Sequence, residues 1–271
     1  MTEISEKVLV VGGTGKTGSR VAQRLRARGV PVRAGSRAAE PPFDWGNTAT
    51  WGAALAGATA AYITFQPDLA VPGAPLAVRA LGDAAVAAGV RRLVLLSGRG
   101  EEEAQAAEKL LAETGADLTV VRSSFFAQNF SEGHFAAEIA AGQLVLPVGE
   151  VREPFIDVDD IAELVVAALT EDRHAGQIYE VTGSRLLTFA EAVGEIAAAT
   201  GRRIDYIQVS PEDYAAAARA QGLPDELVDF LIYLFTTVLD GRNAHVGDGI
   251  DRGLGRPPRD FADYVRGAWT R

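Results

Sequence analysis

Four consecutive apolar residues, Val8-Leu9-Val10-Val11, run directly into Gly12-Gly13-Thr14-Gly15-Lys16-Thr17-Gly18. An unbroken apolar run suits a strand whose sheet is covered on both faces, which points to a parallel sheet flanked by helices. The glycines predict a tight turn into a helix that begins near Lys16, carries Val21, Ala22 and Leu25 at helical spacing and stops at Gly29. Unpaired N–H groups at the start of such a helix face an anion, and at a turn of this kind the usual anion is a dinucleotide pyrophosphate. A glycine turn kept for packing alone is the competing reading. The strand before the turn, the helix behind it and a second apolar strand over residues 30–34 weigh toward the dinucleotide. On that reading Gly12, Thr14, Gly15, Lys16, Thr17 and Gly18 contact the cofactor.

The same alternation continues along the chain. Residues 60–65, 92–96, 118–121 and 177–181 read as strands, and residues 101–114 and 159–169 as helices. Residues 75–88 read as a helix with Leu76, Ala80, Ala84 and Ala87 on its buried side. This βαβ rhythm predicts an α/β fold, a doubly wound parallel sheet of Rossmann type with right-handed crossovers. From about residue 123 the pattern loosens into an aromatic-rich, partly helical stretch, with short strands at 143–147 and 203–209. Thr188 and Glu191 have the spacing of a capping box. Helices follow at 211–220, 224–239 and 259–269. The expected division is a dinucleotide-binding domain over residues 1–150 and a smaller, mainly helical lobe over 151–271, partly interleaved with the sheet domain.

Composition narrows the partners. With 36 Asp and Glu against 26 Lys and Arg, the formal charge is -10, so no basic stripe is available for nucleic acid or an anionic membrane surface. There is no cysteine, hence no thiol nucleophile or thiolate metal site, and the three histidines lack metal-like spacing. No metal is expected. With no signal-like start and no apolar run near ~18 residues, the expected compartment is the cytoplasm.

Ligands of such sheets bind beyond the carboxyl ends of the strands, so the residues there carry the chemistry. After the second strand stand Ser36 and Arg37, where a site for the unphosphorylated cofactor wants a carboxylate for its ribose hydroxyls. A guanidinium instead suits a 2'-phosphate, and Lys16 adds a second cation. Both cations also read as solvated surface charges, but together they favour NADP(H). Asp44 meets the adenine amino group or caps a turn. Phe65 and Gln66, after the third strand, lie toward the ribose and nicotinamide. Ser97 ends the next strand and orients substrate or nicotinamide, or is a plain turn serine. Beyond it, Ser123, Ser124, Phe125, Phe126, Gln128, Asn129 and Phe130 mix aromatic, amide and hydroxyl groups as an apolar pocket with polar fixtures does. Phe126 and Asn129 are three apart and share a face if the stretch is helical. The other reading makes these aromatics packing residues.

The pieces VLVVGGTGKTG, GSR, RRLVLLSG, TGADLTVVRSSFFAQNF and PFIDVDDIAELVVAAL resemble, in their order and spacing, the NmrA-like group of atypical short-chain dehydrogenase/reductases. Within the group, the GKTG turn and the compact length are similar to the ergot-alkaloid festuclavine/agroclavine synthase branch, whose members reduce an iminium with NADPH. The resemblance also implies quinone and azo reductases as relatives, and regulators that bind dinucleotide without turning it over. Typical short-chain dehydrogenases use a Tyr-x-x-x-Lys pair, but no tyrosine stands between Ser97 and Lys109 here. Lys109, next to Glu108, reads as part of a solvated face. The expected function is therefore an NADPH-dependent reductase of a small iminium, quinone or conjugated carbonyl substrate, with Ser97, Phe126 and Asn129 around the reacting centre. The alternative is a non-catalytic NADP(H)-binding sensor or regulator. A monomer or homodimer is expected, the apolar face of 224–239 being a candidate interface.

Overall fold

Val8, Leu9, Val10 and Val11 are each no more than 2% exposed, as a strand covered on both faces requires. In the computed structural model, which describes residues 7–269, the strands in chain order are β1 (Lys7–Val11), β2 (Val32–Gly35), β3 (Ala58–Ile63), β4 (Arg92–Gly98), β5 (Asp117–Ser123), β6 (Gln143–Leu146), β7 (Arg152–Glu153), β8 (Ile178–Val181), β9 (Leu187–Thr188) and β10 (Asp205–Gln208). The helices are α1 (Lys16–Ala27), α2 (Trp51–Leu55), α3 (Ala74–Ala87), α4 (Glu102–Ala112), α5 (Asn129–Glu132), α6 (His134–Ala141), α7 (Val158–Thr170), α8 (Phe189–Thr200), α9 (Pro211–Ala220), α10 (Asp225–Tyr233), α11 (Gly249–Leu254) and α12 (Phe261–Trp269).

Six strands form one parallel sheet in the order β2-β1-β3-β4-β5-β8. The order reverses between β1 and β3, so the loops leaving these two strands diverge and open a crevice at the carboxyl edge. Helices α1 and α7 pack together, as do α3 and α4. Leu9 and Val11 join the cluster that contains Trp51, Val78, Leu81, Leu93 and Leu111. The fold is the expected doubly wound α/β sheet.

The chain divides into two units, but not at one boundary near residue 150. The first unit comprises the residues up to Ser123 with Val158–Val181 and Asp248–Arg256; the second comprises Ser124–Asp157, Thr182–Gly247 and the residues from Pro257 onward. The reason is visible in the sheet: β8 must hydrogen-bond to β5, which brings the late segment 158–181 back into the first unit. The second unit is mainly helical, with a parallel pair β10-β6 and an antiparallel pair β7-β9. Its core is built on Phe130, Phe135, Phe155, Phe189 and Phe261. The Thr188 capping box forms as expected, with Glu191 bonding back to the Thr188 backbone.

Two expected elements change. The apolar stretch 224–239 is α10 followed by a π-helical turn at Leu234–Val238. Helix α3 buries Ala74, Val78, Leu81, Gly82 and Ala85, whereas Leu76, expected on the buried side, is 70% exposed. Ala80 and Ala87 face solvent with it, and Ala84 is half-buried.

Candidate functional site

The glycine turn is shaped by two close approaches. Gly12 has φ +70, and a Cβ there would lie 2.2 Å from Thr64 Oγ1. A Cβ on Gly18 would lie 2.2 Å from the Gly12 carbonyl oxygen, so α1 leaves the sheet with its backbone against the turn. Gly15 differs. It caps α1 in an extended conformation, its N–H donates to the Gly12 carbonyl at 2.8 Å, and the nearest atom to an added Cβ is that same oxygen at 3.3 Å. The side on which Gly15 lacks a side chain is thus free of protein atoms at closer range. No acidic residue stands in the first turn of α1, which leaves the positive helix end available to an anion. Thr14 is exposed. Thr17 turns inward instead: it is 5% exposed and its hydroxyl accepts from Tyr62 at 3.0 Å. Burial pushes the Tyr62 phenol far above its ordinary value. The Thr17 side chain thus packs helix to sheet, and only its backbone is free to meet a ligand.

The end of β2 is stitched to the turn, since Gly12 N–H and Gly13 N–H both donate to the Gly35 carbonyl, at 2.9 and 3.3 Å. This places Ser36 and Arg37 beside the glycine turn. Arg37 is exposed. The Ser36 carbonyl accepts from the N–H groups of Ala39 and Phe43, which folds the following loop. Asp44 caps a turn: its Oδ1 accepts from Gly46 N–H at 3.0 Å, and its backbone bonds to Thr50 and Trp51. Of its two sequence readings, the turn is the one the geometry displays.

Beyond β3, Thr64 donates to the Val11 carbonyl at 3.1 Å and its own carbonyl accepts from Trp45 Nε1 at 3.2 Å. Phe65 is half-buried against the Trp45 ring, with centroids 4.7 Å apart, and Gln66 is exposed. The glycine turn, Ser36-Arg37 and Phe65-Gln66 therefore lie together at the carboxyl ends of β2, β1 and β3.

Ser97 is held in a buried polar network. Its hydroxyl donates to Glu108 Oε1 at 2.6 Å, and Arg122 donates from Nε and Nη2 to the same carboxylate at 2.6–3.0 Å. Arg122 also pairs with Glu180 at 3.5 Å, and Glu180 with Arg99 at 3.6 Å. Ser97, Arg99 and Glu108 are each below 5% exposed. A serine hydroxyl has one proton to donate, and Ser97 gives it to Glu108; only its lone pairs remain for a ligand.

Known proteins resemble this chain along nearly its whole length. An NAD(P)H azoreductase of Xenophilus azovorans is 32% identical over 280 residues, covering 96% of this chain and 96% of that one. The chain belongs to the NmrA-like family of atypical short-chain dehydrogenase/reductases. A festuclavine dehydrogenase of Aspergillus fumigatus is 30% identical over 292 residues, 97% of this chain and 99% of that one. The fold of the triphenylmethane reductase of Citrobacter sp., solved with NADP(H), matches at a TM-score of 0.77 over 97% of this chain and 99% of that one, at 19% identity. No family model matches the chain.

In this NmrA-like protein the remaining expected residues are placed unevenly. Phe126 and Asn129 belong to the second unit. They do not share a helical face, because Phe126 forms a parallel bridge with Ile156 and α5 starts only at Asn129. Phe125 and Phe130 pack into the aromatic core of their unit, and Gln128 donates to Asp157 at 2.7 Å, both buried. Lys109 is exposed on α4, as expected. What the sequence reading missed is a set of buried charges, Arg99, Glu101 and Glu108, with the part-buried Arg122 beside them. Glu108 stands beside Lys109 on a face that reads as solvated, and Glu101 opens a run of three acids, which hid the two that point inward.

Proposed function

We propose that this protein is a reductase that uses NADPH to reduce a small electrophilic organic acceptor, an iminium, quinone or conjugated carbonyl, without a tyrosine–lysine pair. The observation that carries the reading is the turn at Gly15: a helix N-terminus with no acid in its first turn, where an added Cβ would press on the Gly12 carbonyl oxygen at 3.3 Å, so the turn presents bare backbone to a ligand. The pyrophosphate is assigned to that turn, with the 2'-phosphate at Arg37 and Ser36, and Lys16 adding charge. Relatives named azoreductase and festuclavine dehydrogenase support reduction of small organic molecules.

Bound there, the dihydronicotinamide supplies the hydride. The chain's own part is to hold, orient and exclude water, which is enough for acceptors that already carry a low-lying empty orbital. Ser97 fixes the end of β4 through Glu108 and offers a ligand only an acceptor. Lys109 is exposed, so we assign the protonation of reduced products to solvent. Phe126 and Asn129 are proposed to touch substrate. The test is deuteride transfer: NADPH deuterated at C4 is incubated with the protein and a cyclic iminium, and product mass is read. Deuterium on the former iminium carbon supports the reading. Tight NADPH binding without transfer to any acceptor of the three classes would instead assign a sensor.

A further inference from the structure

We propose that Asp68 and Glu101 form a one-proton carboxyl clasp that holds the Phe65–Pro67 segment at the end of β4, and that tight dinucleotide binding needs the clasp closed. The inference rests on the assignment of the dinucleotide to the glycine turn.

The Asp68 and Glu101 carboxyls lie within hydrogen-bonding reach of one another. Two ionised carboxylates are acceptors only, so a bond here requires a proton between them. Glu101 is 6% exposed, and its Oε2 is buried with no hydrogen-bond partner among the described residues. Its carboxyl lies directly against β4: a Cβ on Gly98 would fall 2.3–2.4 Å from its carbon and both oxygens. Only a glycine at 98 leaves that carboxyl its place. Asp68 is fixed from the other side by the Ala70 N–H at 2.9 Å. The charged groups acting on Glu101 are Asp68 and Glu103, both acidic. Arg99, two residues before it, is paired with Glu180. Burial first, then repulsion from Asp68, pushes the Glu101 carboxyl up to about 9.

The clasp sits at one end of a short span. At the other end Thr64 is bonded to Val11, the residue before the glycine turn, and to Trp45. Phe65, Gln66 and Pro67 are thus suspended between two anchors, one on the strand that opens into the glycine turn and one at the end of β4. Loss of the proton puts two carboxylates in contact and releases the second anchor, while the first stays.

The experiment follows NADPH affinity by calorimetry and tryptophan emission by fluorescence, from neutral pH to above about 9, for wild type, Glu101→Gln, Glu101→Ala and Asp68→Asn. In wild type, affinity should fall about tenfold for each pH unit above about 9, and emission should shift with the same midpoint because Trp45 packs on Phe65. Glu101→Gln donates an amide N–H to Asp68 without a titrating proton, so both curves should be flat; Asp68→Asn leaves the Glu101 carboxyl to titrate but gives it an amide N–H to accept once ionised, so the clasp stays closed and the affinity curve should again be flat. Glu101→Ala should bind weakly already at neutral pH. Parallel losses in wild type and Glu101→Gln would overturn the clasp, as would unchanged affinity in Glu101→Ala. Should Glu101→Gln fail to fold, Asp68→Asn decides. A wild type with no NADPH affinity at neutral pH refutes the dinucleotide assignment, while the emission titration still reports separately on whether the carboxyl pair opens.

Discussion

Gly15 and Gly18 stand three residues apart in one turn, and an added methyl group separates their roles. At Gly18 it meets a backbone oxygen at 2.2 Å, so α1 must move; Gly18→Ala should lose about 1–3 kcal/mol of stability by overpacking. At Gly15 the added methyl meets the Gly12 carbonyl oxygen at 3.3 Å, a tight contact that asks for a far smaller shift, so Gly15→Ala should cost less stability than Gly18→Ala while NADPH affinity falls. Denaturant unfolding and calorimetry on the two variants check this, and equal destabilisation by both would refute the division. Arg37 is exposed beside the turn. If it meets the 2'-phosphate, Arg37→Ala should cost NADPH about 1.5–3 kcal/mol, as for hydrogen bonds to a charged group, and leave NADH unchanged. Equal losses for the two cofactors would move Arg37 elsewhere.

At the scale of elements, α4 carries both a buried carboxylate and an exposed amine in adjacent positions. Glu108 accepts from Ser97 and Arg122, so Glu108→Ala leaves the part-buried Arg122 only its longer pair with Glu180 and should destabilise by about 1.5–3 kcal/mol, as for lost hydrogen bonds to a charged group. Ser97→Ala removes one donor and should cost about 1.5–3 kcal/mol, because the acceptor is charged. Lys109→Ala should leave stability unchanged and lower turnover by less than about tenfold, against the 10²–10⁴-fold of a lost general acid. Urea unfolding and steady-state rates on the three variants are the measurements. The same helices show what the sequence made legible. The β1–turn–α1 unit was readable because apolar run, glycines and helical spacing agree, and β8 was readable as a short strand able to rejoin the sheet. Helix α3 was misread because APLAVRALGDAAVA is apolar on nearly every side, so alanine spacing gave no contrast between faces. Glu108 and Glu101 were hidden because inward-pointing acids look the same in sequence as solvated ones; only their partners, Arg122 and Asp68, reveal them. The shared helical face of Phe126 and Asn129 fails for a related reason, since the bridge to Ile156 is a pairing thirty residues away that no local pattern carries.

For the whole molecule, the charge of -10 makes pH the revealing variable. Unfolded, Glu101 ionises near its ordinary 4.5; folded, burial and Asp68 hold its proton to about 9. Between those values the folded state binds the extra proton, so this group lowers stability as pH rises through the window, and the loss levels off above about 9. Glu101→Gln lacks that proton and should gain on wild type steadily across the window, read as melting temperature against pH. Asp260 acts at the other end. Hydrogen bonds from Arg185 hold its carboxyl below the ordinary 3.8, so its contribution is present above that value and is lost as pH falls below it. A melting-temperature difference between wild type and Glu101→Gln that does not change with pH would remove the buried proton.

The central claim, reduction of small electrophiles by NADPH in a site without a tyrosine–lysine pair, is tested most directly by anaerobic initial rates. Purified protein is given NADPH or NADH with panels of iminium, quinone and conjugated carbonyl acceptors, and cofactor consumption is matched to product formed. The account predicts stoichiometric consumption with at least one class, a higher kcat/KM with NADPH than with NADH, and rates in Lys109→Ala within about tenfold of wild type. A cofactor that binds tightly yet is consumed with no acceptor, or a hundredfold loss in Lys109→Ala at unchanged NADPH affinity, would contradict it.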